Sequence, residues 1–156
     1  MCIRDRYENV TIDSTHTELQ SGETFVVENL EVTSSGALAL PEDAESVNIY
    51  VRNRLILDGE EAVLNDTRKA PKLNIFYLGS ESVQMRGGAT AYFTLFAPEA
   101  DLELSGTPNV RTEFYGALVG KSIDVNHANF HFDLATLGVG EGNSGGGFQV
   151  VARPRY

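Results

Sequence analysis

Two sets of residues have the types and spacing to do chemistry. In the first, Glu103 and Asp124 sit in the runs "DLELSG" and "SIDVNH", about twenty residues apart and one residue after an apolar position in each. With the run "SVQMRGG" in the same frame, Gln84, Glu103 and Asp124 align as one outward column. Neighbouring strands lie about 4.8 Å apart, so the two carboxylates would be brought close. Stacked carboxylates can bind Ca²⁺ with further oxygen ligands, or work as an acid–base pair on a polysaccharide. The simpler reading is a solvated acidic face, because a hard-cation site needs about six or more oxygens, and only Asp101 and Ser105 stand nearby. The second set is His127, His131 and Asp133, which share parity. On one unbroken strand they would face the same side, as a zinc set does. A turn at Ala128-Asn129 would break that strand. In that case Asp133 is expected to fix His131 by a hydrogen bond and seal the end of the fold.

The elements that position these residues are read from periodicity. No segment keeps a helical period, whereas period-two alternation recurs. It places Leu30 with Val32, Leu55 with Leu57, Val83 with Met85, Leu102 with Leu104, and Ile123 with Val125 on an inner face. Most of these runs end in a turn signal such as Ser35-Gly36, Asp58-Gly59 or Ser105-Gly106. The last three recur at about twenty residues, and each follows an apolar strand: "NIFYLG", "YFTLFAP" and "EFYGALVG". Such a repeat cannot bury its apolar face alone, so stacking must complete the core. The expected fold is all-β: a single-domain parallel β-solenoid of about five rungs over residues 7–137. An antiparallel β-sandwich, with short strands at similar spacing, is the alternative. The first two repeats are longer, and "NDTRKAPK" reads as an inserted surface loop. Ala97-Pro98 and Tyr115-Gly116-Ala117 read as tight corners. The aromatics Phe76, Tyr77, Tyr92, Phe93, Phe96, Phe114, Tyr115, Phe130 and Phe132 recur once or twice per rung. They read as core stacking, with an exposed ladder for sugar rings as the alternative. Residues 138–147 are glycine-rich and read as a linker, and residues 148–156, "FQVVARPRY", as a last strand.

Composition removes several classes of function. The chain has 156 residues and a formal net charge of −10. That opposes nucleic acid, which is bound by Lys and Arg on phosphates, and direct contact with an anionic membrane surface. The only cysteine is Cys2, so neither a disulfide framework nor a thiolate zinc site is available. No Ser-His-Asp set, phosphate-cradling loop or nucleotide fingerprint is present, and "GVGEG" lacks the strand and helix that would make it a phosphate site. No catalytic residue, resident metal or cofactor is therefore expected. The opening "MCIRDR" shares none of the texture that follows. Back-translated as ATG TGT ATA AGA GAC AG, it resembles a transposon-end adapter used in shotgun DNA libraries. Residues 1–6 are accordingly expected to be a scar on a truncated reading frame.

The ordered series "SVNIYVRNRLILDG", "NDTRKAPKLNIFYLG", "FTLFAPEADLELSG", "EFYGALVGKSIDVN" and "FHFDLATLG" resembles a bacterial domain of unknown function. That domain is found in pilus-assembly-type proteins, often behind a PilX-like minor-pilin segment. The resemblance covers about two thirds of the chain. It departs from the family at Asn126-His127-Ala128-Asn129, where His127 stands in place of a glycine. A turn needing positive φ is strained there, although His tolerates it better than a β-branched residue. The resemblance implies a surface or pilus-associated location and carries over no catalytic residues. The function expected is a non-enzymatic, surface-exposed structural or adhesive module, with pilus subunits or surface glycans as partners. The rivals are a polysaccharide-active β-helix enzyme using Glu103 and Asp124, and a polymer-forming scaffold of the bactofilin kind.

Overall fold

The computed structural model describes residues 5–59, 61–86, 90–106 and 112–133. The glycine-rich stretch 138–147 and the segment 148–156 lie outside them. The strands are β1 (Asp5–Ile12), β2 (His16–Glu18), β3 (Thr24–Ser34), β4 (Ala37–Leu40), β5 (Val47–Gly59), β6 (Val63–Asn65), β7 (Leu73–Tyr77), β8 (Val83–Arg86), β9 (Thr90–Ser105), β10 (Thr112–Asn126) and β11 (Ala128–Phe132). Among the described residues the only helical element is a single 3-10 turn, Ala70–Lys72.

Every strand pairing is parallel, and the large sheet runs in chain order β1-β3-β5-β7-β9-β10-β11, with β8 continuing β7 between β5 and β9. Parallel pairing of successive segments is what stacked coils produce, and a sandwich of hairpins cannot. The fold is a β-solenoid of about five turns. Each long strand bends midway. In β3 and β10 the bend falls at register shifts, Val27/Asn29 and Gly120/Ser122. In β9 it falls at Ala97-Pro98, where the coil turns the expected corner and proline's missing N–H costs no ladder bond.

Period-two alternation becomes burial. Leu30, Val32, Leu55, Leu57, Val83, Met85, Leu102 and Leu104 are all buried in one core. Their columns are in register from coil to coil: Val32, Leu57, Met85, Leu104 and Val125 face one another in turn. Ile123 and Val125 share the inward parity but remain 44% and 41% exposed. They belong to the outer half of β10, and β11 covers only Thr112–Gly116. Parity aims these side chains inward, but no described strand stacks over them.

One expectation is corrected and two gain structural detail. The longer early repeats carry a third side, the small parallel sheet β2-β4-β6. That sheet ends, among the described residues, at Asn65, where "NDTRKAPK" begins. This segment is a surface loop, with Asp66, Arg68 and Lys69 exposed, but it is anchored to the core. Asn65 is buried, and its amide N–H groups donate to Lys69 O at 3.1 Å and Tyr92 O at 2.8 Å. Its Oδ1 accepts from Thr67 N at 3.1 Å and from the Thr67 hydroxyl at 2.6 Å. Ala70 is fully buried, and the 3-10 turn packs on β9 and β10, closing the side left open by the third sheet. Tyr115-Gly116-Ala117 is not a corner but the straight middle of β10's first half. A Cβ on Gly116, whose φ is +154°, would strike Phe93 O and press on Ala70. Glycine is required there for close coil packing.

Candidate functional site

The carboxylate column is present as aligned. Gln84 faces Glu103, and Glu103 faces Asp124, across adjacent strands. The Gln84 amide donates to Glu103 Oε2 at 3.2 Å, and the Ser122 hydroxyl donates to Asp101 Oδ1 at 2.5 Å. The setting is less acidic than the sequence implies. Arg86 donates to Gln84 Oε1 at 3.1 Å and stands 3.7 Å from Asp58, while Arg54 pairs with Glu31 at 3.4 Å. These residues cover the outer surface of the second half of the sheet. Glu103 and Asp124 line neither the apolar cavity between Leu57, Phe93 and Phe114 nor the groove between Tyr7, Glu28 and Arg52.

The second set is not assembled. The break falls at His127, which takes φ +53° between β10 and β11. This is the left-handed region that a glycine would occupy without strain. His131 lies on β11, and its Nε2 pairs with Glu113 Oε2 at 2.7 Å. The partner of His131 is therefore the carboxylate one coil below, not Asp133, whose backbone N–H instead continues the ladder to Gly116 O at 2.9 Å. The Asn129 amide donates to the other oxygen of Glu113 at 2.6 Å. Glu113 thus joins the last coil to the one before it. Among the described residues no group of three or more His, Cys, Asp and Glu is placed to hold a metal ion.

The aromatic residues divide by parity, which the sequence reading missed. Tyr77, Phe93 and Phe114 are buried in the core, and Phe93 meets Phe114 edge-on at 4.8 Å. Tyr50, Phe76, Phe96, Tyr92 and Tyr115 stand half-buried on the outer face of the first half of the sheet. They form two ladders. In one, Tyr50 stacks on Phe76 at 4.7 Å and Phe96 follows at 6.4 Å. In the other, Tyr92 stacks on Tyr115 at 4.9 Å and Tyr115 on His131 at 4.4 Å. Between the ladders runs an amide and hydroxyl column, Thr24-Asn48-Asn74-Thr94. Asn74 is buried within it. Its Nδ2 lies 3.1 to 3.2 Å from Asn48 Oδ1, Pro71 O and Ser46 Oγ, and its Oδ1 accepts from the Thr94 hydroxyl at 2.6 Å. From β3 to β10 two columns, Thr24-Asn48-Asn74-Thr94-Ala117 and Val26-Tyr50-Phe76-Phe96-Val119, contain no charged residue, and Arg6 on β1 continues the second beside Val26.

The outer face of one sheet is thus split. One half is mainly aromatic and amide, with charge confined to Arg6 on β1 and the Glu113–His131 pair among its ladder positions, in a chain of net charge −10. The other half carries Glu31, Arg54, Asp58, Arg86, Asp101, Glu103 and Asp124. In the pairs Tyr50–Phe76, Tyr92–Tyr115 and Tyr115–His131 the ring planes are 10° to 16° apart and face one another, whereas Phe96 is tilted 54° from Phe76. Stacking a sugar needs a free ring face, and within the three stacked pairs the facing sides are taken by neighbouring rings.

A family model for a domain of unknown function, DUF7305, matches residues 6–138. The chain belongs to the DUF7305 family. No curated protein and no solved structure matches it. The matched span takes in every coil of the solenoid, so the split face and the Glu113-His131 join both lie within the DUF7305 domain.

Proposed function

We propose that this chain is a non-enzymatic, surface-exposed structural and adhesive module of a pilus-associated protein, and that its adhesive contact is made by the aromatic and amide half of the outer sheet with pilus subunits. The observation that supports this reading most is the segregation of charge across one continuous parallel sheet. Protein interfaces concentrate Tyr and Phe and deplete charge at their centre, and this half of the sheet has that composition. Surface glycans fit it less well, because the ring faces are spent on one another. The resemblance of the ordered coil motifs to a pilus-associated domain supports the cellular setting. Stacked coils with an in-register core form a rigid rod, suited to presenting a flat face rather than enclosing a substrate.

The test uses the full-length protein, epitope-tagged, in the cells that make it. It is expected to be labelled on intact cells and to co-purify with sheared pili. Phe96→Asp with Tyr115→Asp should abolish co-purification while leaving surface labelling intact. Protein that stays inside the cells, or pilus binding unchanged in the double variant, would overturn the reading. A polymer-forming scaffold is the second reading, favoured by the uncovered coil end at Ile123, Val125 and Phe132. It requires filaments to form from the purified chain alone.

A further inference from the structure

Cations are scarce in a chain of net charge −10, and most of those on the long sheet are spent within the fold. Arg52, Arg54 and Arg86 each stand 3.2 to 3.7 Å from a carboxylate. Arg68, Lys69 and Lys72 are different: among the described residues no acid lies within ion-pair distance of them. Arg68 and Lys69 are exposed and Lys72 is half-buried. The turn that carries them is held from several sides. Buried Asn65 donates to Lys69 O and to Tyr92 O. Asn74 and Ser46 donate to Pro71 O at 3.1 and 3.2 Å. Arg68 N donates to Asn65 O at 3.1 Å, and Lys72 N to Lys69 O at 3.0 Å. Ala70, between the cations, is fully buried beside Gly116. These bonds keep Arg68 at φ +53°, a left-handed conformation unfavourable for arginine. Strain that the surroundings over-determine gathers at working surfaces.

The turn also lies where the aromatic half begins. Asn74 faces Thr94, so the same register carried two residues back sets Lys72, just before β7, in line with Tyr92. Lys72 therefore borders the ladder Tyr92-Tyr115-His131. A 3-10 turn brings residues three apart onto one side with a rise of about 6 Å, which puts Lys69 beside Lys72. Protein interfaces have an aromatic centre inside a polar rim. The ladders supply the centre here, and the turn supplies a cationic rim along one border. The acidity of the rest of the chain does not erase it at contact, because fields decay over about 8 Å at physiological salt. Nucleic acid and anionic membranes spread phosphates over an area wider than one turn and would meet that acidity as well. A protein surface bearing two or three carboxylates matches the turn in size and sign.

We infer that Arg68, Lys69 and Lys72 form the cationic rim of the adhesive face and dock on carboxylates of the pilus subunit, steering it onto the aromatic ladders. This rests on the adhesive reading given above, and it adds the sign of charge that the partner presents. Charges at a rim act chiefly on the rate of association and its salt dependence, whereas the rings at the centre hold the complex once formed.

The test measures association and dissociation of the purified full chain on immobilised sheared pili, at low and at high salt. Parent association should slow at least about tenfold as salt rises. At low salt, Lys69→Gln with Lys72→Gln should slow association at least about fivefold and leave dissociation within about twofold. Arg54→Gln with Arg86→Gln removes the same charge from the other half of the sheet and should leave association within about twofold. Lys69→Gln alone, at an exposed position, should act in the same direction as the loop pair, and it serves if that pair disturbs the turn. Parent association that ignores salt, or equal rates for the loop and control pairs, would overturn the inference and leave the adhesive reading standing. Loss of binding to pili stripped of glycan would assign the anion to a sugar and overturn it too. A parent that does not bind pili at all would overturn both.

Discussion

Leu104 and Glu103 are neighbours on β9, and the solenoid gives them opposite fates. Leu104 is 2% exposed and sits in a column between Met85 and Val125. Glu103 stands outside, where its Oε2 accepts from the Gln84 amide at 3.2 Å. Replacing Leu104 by alanine removes buried methyl groups and leaves a cavity in a core whose backbone is held on both sides by parallel ladders. Collapse around it is limited, so the cost is about 3 kcal/mol, mid-range for such sites. For a domain of this size 1 kcal/mol shifts Tm by about 2–4 °C, giving a fall of about 6–12 °C. Glu103→Ala loses one exposed hydrogen bond, and surface changes of that kind stay within about 0.5 kcal/mol. The assay is thermal melting of both variants and the parent, with urea titration to confirm that the slope is unchanged and only the midpoint has moved. Equal losses in the two variants, or a larger loss for Glu103→Ala, would refute the inward-outward assignment of this strand and with it the coil register.

Asn74→Leu, of similar volume, should cost about 2–3 kcal/mol in urea titration, because it leaves the Thr94 hydroxyl and the acceptors around Asn74 unpartnered in a buried column. Tyr77 is fully buried, with its hydroxyl donating to Asn53 O at 2.9 Å, and burial raises its pKa above the ordinary 10.0. The folded state therefore holds the proton to higher pH than the unfolded state. Stability from this group is full below pH 10, falls as pH rises beyond it, and Tyr77→Phe should flatten that alkaline decline in a melting series. His127→Gly should raise stability by up to about 1 kcal/mol, because the φ of +53° is left-handed. A loss of stability would show that the His127 side chain makes a contact worth more than the strain. Glu103→Gln combined with Asp124→Asn should leave Tm unchanged or slightly higher as repulsion between coils is relieved. A calcium-dependent rise in parental Tm that vanishes in the double variant would show a cation site. Reducing ends released from an acidic polysaccharide, and lost in the same variant, would show an enzyme.

Side-chain direction was legible in the sequence because it is local. A strand has a period of two, and the runs around Leu30, Leu55, Val83 and Leu102 show it without reference to any other residue. The recurrence near twenty residues also indicated stacking, since no single repeat could cover its own apolar face. The carboxylate column was legible for the same two reasons. Burial and partnership were not, because they depend on the next coil. Ile123 has the parity of Leu102 but not its cover. His131 and Asp133 are neighbours in sequence, yet the parallel register places His131 against Glu113, eighteen residues back. Asn65 and Asn74 look like loop and surface residues until the stacking of β7 and β9 closes around their amides. The aromatic column is the clearest case. Tyr50, Phe76 and Phe96 are spaced 26 and 20 residues apart, an uneven interval set by the third sheet and the Asn65–Lys72 turn. Only the folded coil, whose loops absorb that difference and restore the register, brings them into one column.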